Sequence, residues 1–159
     1  MVKSNNLKEF LNLKVNQYNN PDFIKDDPIQ IPHLFNKKED IEISGFLTST
    51  IAWGNRKSII NSSKKMMGLL KNKPYDYVMN HNERDLKKLT QYVHRTFNGY
   101  DLIQFISSLK NIYQNHGGLE KIFSENIKDN SLHYSIHNFK KVFFEIEHLA
   151  RTQKHVSDP

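Results

Sequence analysis

The chain has 159 residues, with 23 Lys plus Arg against 17 Asp plus Glu and a formal net charge of +6 when its eight His are neutral. That length suits one domain, and although only 37% of residues are hydrophobic, one Trp, seven Tyr and ten Phe bury enough area each to build a core, which argues against wholesale disorder. The absence of Cys excludes a disulfide framework, a thiolate zinc site and a Cys nucleophile. No apolar run approaches the roughly 18 residues of a membrane span, and the opening string MVKSNNLKEFLNLK has no apolar signal region, so a soluble, cytoplasmic protein is expected.

Leu7, Phe10, Leu11, Val15 and Tyr18 step by three and four residues and predict a helix over 1–18. Pro21, Pro28 and Pro32 forbid a continuous helix over 19–36 and predict an extended segment anchored by Phe23, Ile24, Ile29, Ile31 and Phe35. A helical core over 37–152 follows. Its first helix starts near Lys38 or Glu39, places Ile43, Phe46, Leu47, Thr50 and Ile51 on one face, and stops at Gly54. The next, over 56–71, buries Ile59, Ile60, Ser63, Met66, Met67 and Leu70, so Gly54 and Asn55 join two helices in a tight hairpin. Pro74 opens a short helix, Asn82 starts another, 99–116 carries a strong apolar stripe ended by Gly117 and Gly118, and 119–123 adds a turn or two. The last helix, 131–152, repeats Leu132, Ile136, Phe139, Phe143, Ile146 and Ala150. No run sustains period-two alternation. The fold class is therefore all-α, a single domain of six to eight helices over 1–159, with 153–159 a polar tail.

The net charge is unevenly placed. Residues 1–36 hold four bases and four acids and residues 99–159 seven of each, whereas residues 37–98 hold twelve bases and six acids. No acid occurs over 43–75, where Arg56, Lys57, Lys64, Lys65, Lys71 and Lys73 project a field that favours polyanions, unless they form a merely solvated helix face. At AWGNRK, a bulky aromatic, a chain reversal and two cations meet where a helix offers unpaired amides, so Trp53, Asn55, Arg56 and Lys57, with Lys64 and Lys65, are the candidate nucleic-acid contacts. Trp53 is either a base-stacking wedge or a core plug.

A second constellation, HRTFNGYD, packs polar side chains into a short corner. His94, Arg95, Asn98 and Asp101 there, together with Lys154, His155 and Asp158 of the tail, form a candidate polar site, although Asp101 could equally cap the following helix. His133, His137 and His148 fall within about 60° of one another on an ideal last helix, which invites a metal-dependent hydrolase reading. The lack of Cys and of a carboxylate between the first two argues for a solvated face instead. No metal, cofactor or catalytic residue is assigned.

The strings IPHLF, DIEISGFL, IAWGNRK, HRTFNGYD and KHVSDP, in that order across residues 18–159, resemble an uncharacterised bacterial family, domain of unknown function 2400, whose members are longer. Through that family the chain has a more distant similarity to the helix-hairpin-helix DNA glycosylases. Residues 43–63 resemble their first core helix, which ends in a small-residue turn at the DNA. Residues 97–123, with an Asn-Gly-Tyr start and a Gly-Gly-Leu end, resemble the helix that precedes their hairpin. The resemblance implies the front half of a DNA-repair-like fold, with duplex DNA as partner, no catalysis by this chain alone, and a C-terminal part missing after 153–159. On that basis the hairpin over 43–70 and the last apolar stripe are expected to lack partners and expose apolar surface, to be covered by the missing half or by a partner. The alternative class is a helical protein-interaction module whose basic surface meets an acidic partner.

Overall fold

The computed structural model describes residues 4–159; the first three residues of the expected opening helix lie outside it. Nine α-helices and one two-stranded hairpin occur among the described residues, and none of the helices is long and apolar enough to cross a membrane. The opening helix, α1 (Ser4–Tyr18), keeps Leu7, Phe10, Leu11, Leu13, Val15 and Tyr18 about half exposed, and none of them joins the core.

The proline segment is not extended. Pro21 begins α2 (Pro21–Ile24), and Pro28 and Pro32 begin the 3-10 turns Pro28–Gln30 and Pro32–Leu34. Proline's fixed φ suits the first position of a helical turn, where its missing N–H costs nothing. The side chains of Asn20 and Asp27 cap the first two turns by accepting from the backbone amides of Asp22 and Phe23 and of Ile29. The segment still anchors the chain through Ile31, which is wholly buried.

The core helices are α3 (Lys38–Thr50), α4 (Arg56–Leu69), α5 (Pro74–Asn80), α6 (Glu83–Leu89), α7 (Gly99–Asn115), α8 (Leu119–Ser124) and α9 (His133–Phe143). Helix α7 is central: Leu102, Phe105, Ile106, Leu109 and Ile112 are wholly buried, and α5, α6 and α9 pack against it. Phe105 stacks on Phe46 of α3 at 5.6 Å between ring centroids and meets Phe143 of α9 edge-on at 4.8 Å. The hairpin face expected to lack partners is therefore covered, and the last stripe is covered in its middle, while Leu132 stays 52% exposed and Ala150 is exposed. Ile43, Leu47, Ile51, Ile59, Met66, Met67 and Leu70 are buried, and so are Phe139 and Phe143.

Two further departures have tertiary causes. Strands β1 (Val93–His94) and β2 (Phe97–Asn98) pair antiparallel around Arg95, whose φ is 55°, and two residues per strand are too few to show an alternating pattern. Helix α9 ends at Phe143, well short of residue 152. Beyond it, Glu145 is held by Asn111 of α7 and by His116, the residue that caps its end, and Arg151 and Thr152 bond to Asp101 at the other end of α7. A continued helix would carry these residues along its own axis, away from both anchors. The polar tail in turn forms the 3-10 turn Thr152–His155 and buries Val156.

Candidate nucleic-acid interface

Helix α3 ends at Thr50, and the Trp53 amide turns back to donate to the Ile51 carbonyl at 2.9 Å. Gly54 then takes a left-handed φ of 101°, and a side chain there would also collide with the Arg95 guanidinium. Asn55 is the N-cap of α4: its side chain accepts from the Ser58 amide at 3.1 Å, so it shapes the helix start and leaves the first-turn amides of Arg56 and Lys57 without an intrahelical acceptor.

Trp53 is not a core plug. It is 41% exposed, and Arg95 reaches across from the β1–β2 turn to place its guanidinium carbon 4.1 Å from the ring centroid. Lys57, Lys64 and Lys65 are exposed along α4 and form no ion pair among the described residues. Arg56 differs from them, since its Nε faces Asp27 Oδ2 at 3.8 Å and its guanidinium lies over Phe23.

The second constellation divides. His94 is buried beneath Trp53, with Nδ1 2.8 Å from Ser62 Oγ and Nε2 without a hydrogen-bond partner. Burial holds its pKa below the ordinary value, the Arg95 charge adds to that, and the Ile51 carbonyl opposes it, so the ring is neutral at neutral pH. Asn98 and Asp101 form the capping box of α7. The Asn98 side chain accepts from the amides of Tyr100 and Asp101, and Asp101 Oδ2 accepts from the Asn98 amide at 3.0 Å.

Asp101 does more than cap. It is wholly buried, takes Thr152 Oγ1 on Oδ1 at 2.8 Å and Arg151 Nη2 on Oδ2 at 3.1 Å, and faces His155 Nε2 at 3.5 Å. The tail is thereby drawn over the start of α7. This brings Arg151, Lys154 and His155 into one groove of about 520 Å³ with Thr50, Trp53, Thr96 and Ser157. Asp158 is not brought there; its partners are Lys140 at 2.8 Å and His137 at 3.6 Å. Of the proposed histidine stripe, His133 and His137 lie on α9 and His148 lies beyond its end. Arg151 and Thr96 are site residues that the sequence reading missed, because nothing local marks a residue whose role depends on a partner 50 positions away.

On the other side of the Gly54 turn, a second hollow of about 510 Å³ is lined mainly by Pro28, Ile29, Pro32, Ala52 and Ile59, with Asp27 and Arg56 at its polar part. Residues 27–159 match the model of a family described as Protein of unknown function (DUF2400). No curated protein and no solved structure matches the chain.

Proposed function

We propose that this chain, which belongs to the DUF2400 family of proteins of unknown function, binds nucleic acid at the Gly54 turn and along the exposed face of α4, with duplex DNA as the ligand. The observation that carries the reading is a half-exposed Trp53 with Arg95 over its ring and Arg151 and Lys154 lining the same groove, at the entrance to a helix whose exposed Lys57, Lys64 and Lys65 have no acidic partner among the described residues. An aromatic face with surrounding cations and free helix amides is the chemistry that grips phosphates and bases. The resemblance of the sequence to the DNA glycosylases favours duplex DNA, in a repair setting, over other polyanions, and the role assigned to this chain is binding without catalysis.

Titration of a fluorescent duplex at increasing salt tests it. The logarithm of the binding constant should fall linearly with the logarithm of salt, by about 0.9 per phosphate contacted. Lys57→Ala should reduce that slope by about one contact, and Arg56→Ala by less, because Asp27 already neutralises part of its charge. Duplex binding that is absent, or indifferent to salt, overturns the proposal.

A second reading is favoured by α1 alone, whose exposed Leu7, Phe10, Leu11 and Leu13 suit a protein-interaction module. On that reading, partner capture depends on α1 and ignores DNA.

A further inference from the structure

The groove between Trp53 and the folded-back tail is built from beneath. Asp101, wholly buried, bonds Arg151 Nη2 at 3.1 Å and faces His155 Nε2 at 3.5 Å, while Thr152 Oγ1 holds the other carboxylate oxygen at 2.8 Å. Arg151 Nη2 also donates to the Thr96 carbonyl at 2.8 Å, whereas its Nε and Nη1 have no acceptor among the described residues. Arg151 is thus fixed at one edge and half exposed, with donors left over. Lys154, on the same short turn, lines the groove with no ion pair among the described residues. Trp53 lines it too, set in place by the Arg95 guanidinium over its ring.

The space of about 520 Å³ falls within the range of about 300–1,000 Å³ usual for small-molecule sites. No carboxylate lines it, and the single buried one behind it is already satisfied. An aromatic plate and two cations in one such hollow match a flat heteroaromatic ring joined to an anionic group. No Asn or Gln side chain lines the groove to pair two base-edge atoms at once, which leaves the stack on Trp53 as the main contact to a base.

We infer that this groove is a binding site for one unpaired nucleotide, its base stacked on Trp53 and its phosphate held by Arg151 and Lys154. The inference rests on the nucleic-acid reading above and adds to it a site that takes a nucleotide outside any base pair. The nucleotide is either a free nucleoside monophosphate or one unit of a single strand.

Trp53 is the only Trp of the chain, so its fluorescence reports this groove directly. Titration with deoxyadenosine monophosphate should quench it saturably, and deoxyadenosine or inorganic phosphate alone should act about tenfold more weakly or worse, since each offers half of the recognised chemistry. Lys154→Ala, an exposed change that leaves the fold intact, should weaken the monophosphate about tenfold, with partial rescue by Lys154→Arg. A single-stranded oligonucleotide that quenches at much lower concentration than the monophosphate identifies a strand as the source, and equal potency identifies the free nucleotide; both support the site. Quenching that survives Lys154→Ala unchanged, or no quenching by the monophosphate, overturns it. The duplex titration separates the two readings: duplex binding without monophosphate quenching removes the groove site alone, whereas Lys154-dependent quenching without duplex binding keeps the groove and removes the duplex reading.

Discussion

Asp101 and His94 show how two residues of one short corner come to opposite ends. Asp101 is buried as a carboxylate and satisfied on every side, by the Asn98 amide, Arg151 and Thr152. Removing one partner of a fully buried charge pair costs about 3–5 kcal/mol; because the Arg151 side chain is half exposed and can return to water, Asp101→Ala is expected to cost about 2–4 kcal/mol in urea unfolding. The same change should release the tail and abolish nucleotide quenching of Trp53. His94, by contrast, is buried neutral. With its folded-state pKa held by burial below the ordinary 6.5, the unfolded chain binds the proton more readily, so the stability contributed by the neutral ring is complete above that pH and is lost as pH falls from there towards the folded-state value. Melting temperature should therefore drop as pH is lowered through and below 6.5, and His94→Asn, which can keep a hydrogen bond to Ser62, should flatten the drop. An unchanged drop in that variant assigns the effect to other groups.

At the scale of elements, two glycines make the packing argument measurable. A side chain at Gly99, where α7 begins, would run into the Leu89 carbonyl and lie 2.5 Å from Thr90 Cα at the end of α6; both are backbone and cannot swing aside. Gly68, near the end of α4, has nothing within 4 Å of the same position. Gly99→Ala should therefore destabilise by about 1–3 kcal/mol or more, while Gly68→Ala should stabilise by about 0.5–1 kcal/mol through helix propensity, both read from denaturant midpoints at constant slope. What the sequence revealed about the elements follows the same division between local and distant causes. Helices α3, α4 and α7 were legible because their apolar stripes run for several turns and their ends carry Asn55, Asn98 or paired glycines. The end of α9, the β1–β2 hairpin and the folded-back tail were not, because they are set by contacts such as Asp101–Thr152 and Asn111–Glu145, which bridge 51 and 34 positions. The segment with Pro21, Pro28 and Pro32 departs from the extended expectation because the first-turn fitness that predicts the helix at Pro74 applies at these three prolines as well, each opening a turn too short for its apolar pattern to show. Likewise, the turn residues Trp53 to Lys57 stood out in the sequence, but not the groove, which exists only once the tail has returned.

At the scale of the molecule, the chain divides into a packed body and a helix that stands apart from it. Ile31 through Val156 supply the buried core, whereas the five apolar side chains of α1 from Leu7 to Val15 are each more than half exposed, and the family match begins at Asp27, after α1 and α2. A half-exposed side chain outside the core cluster returns little hydrophobic free energy on folding. Truncation ahead of Gln17 keeps the Gln17 carbonyl that Asn20 donates to and the edge contact of Tyr18 on Phe23 at 5.8 Å, so it removes α1 without disturbing the cap of α2. The truncated chain should melt within about 2–4 °C of the full one, the shift that about 1 kcal/mol produces in a domain of this size. It should also self-associate less at high concentration, since the largest set of exposed apolar side chains has gone. Residues 1–16 carry Lys3, Lys8 and Lys14 against Glu9, well away in sequence from the Gly54 turn, and the salt slope of duplex binding should stay unchanged within a fraction of one phosphate contact. A fall in melting temperature much beyond that range would show that α1 packs on the body in solution, and a reduced salt slope would extend the nucleic-acid interface onto α1.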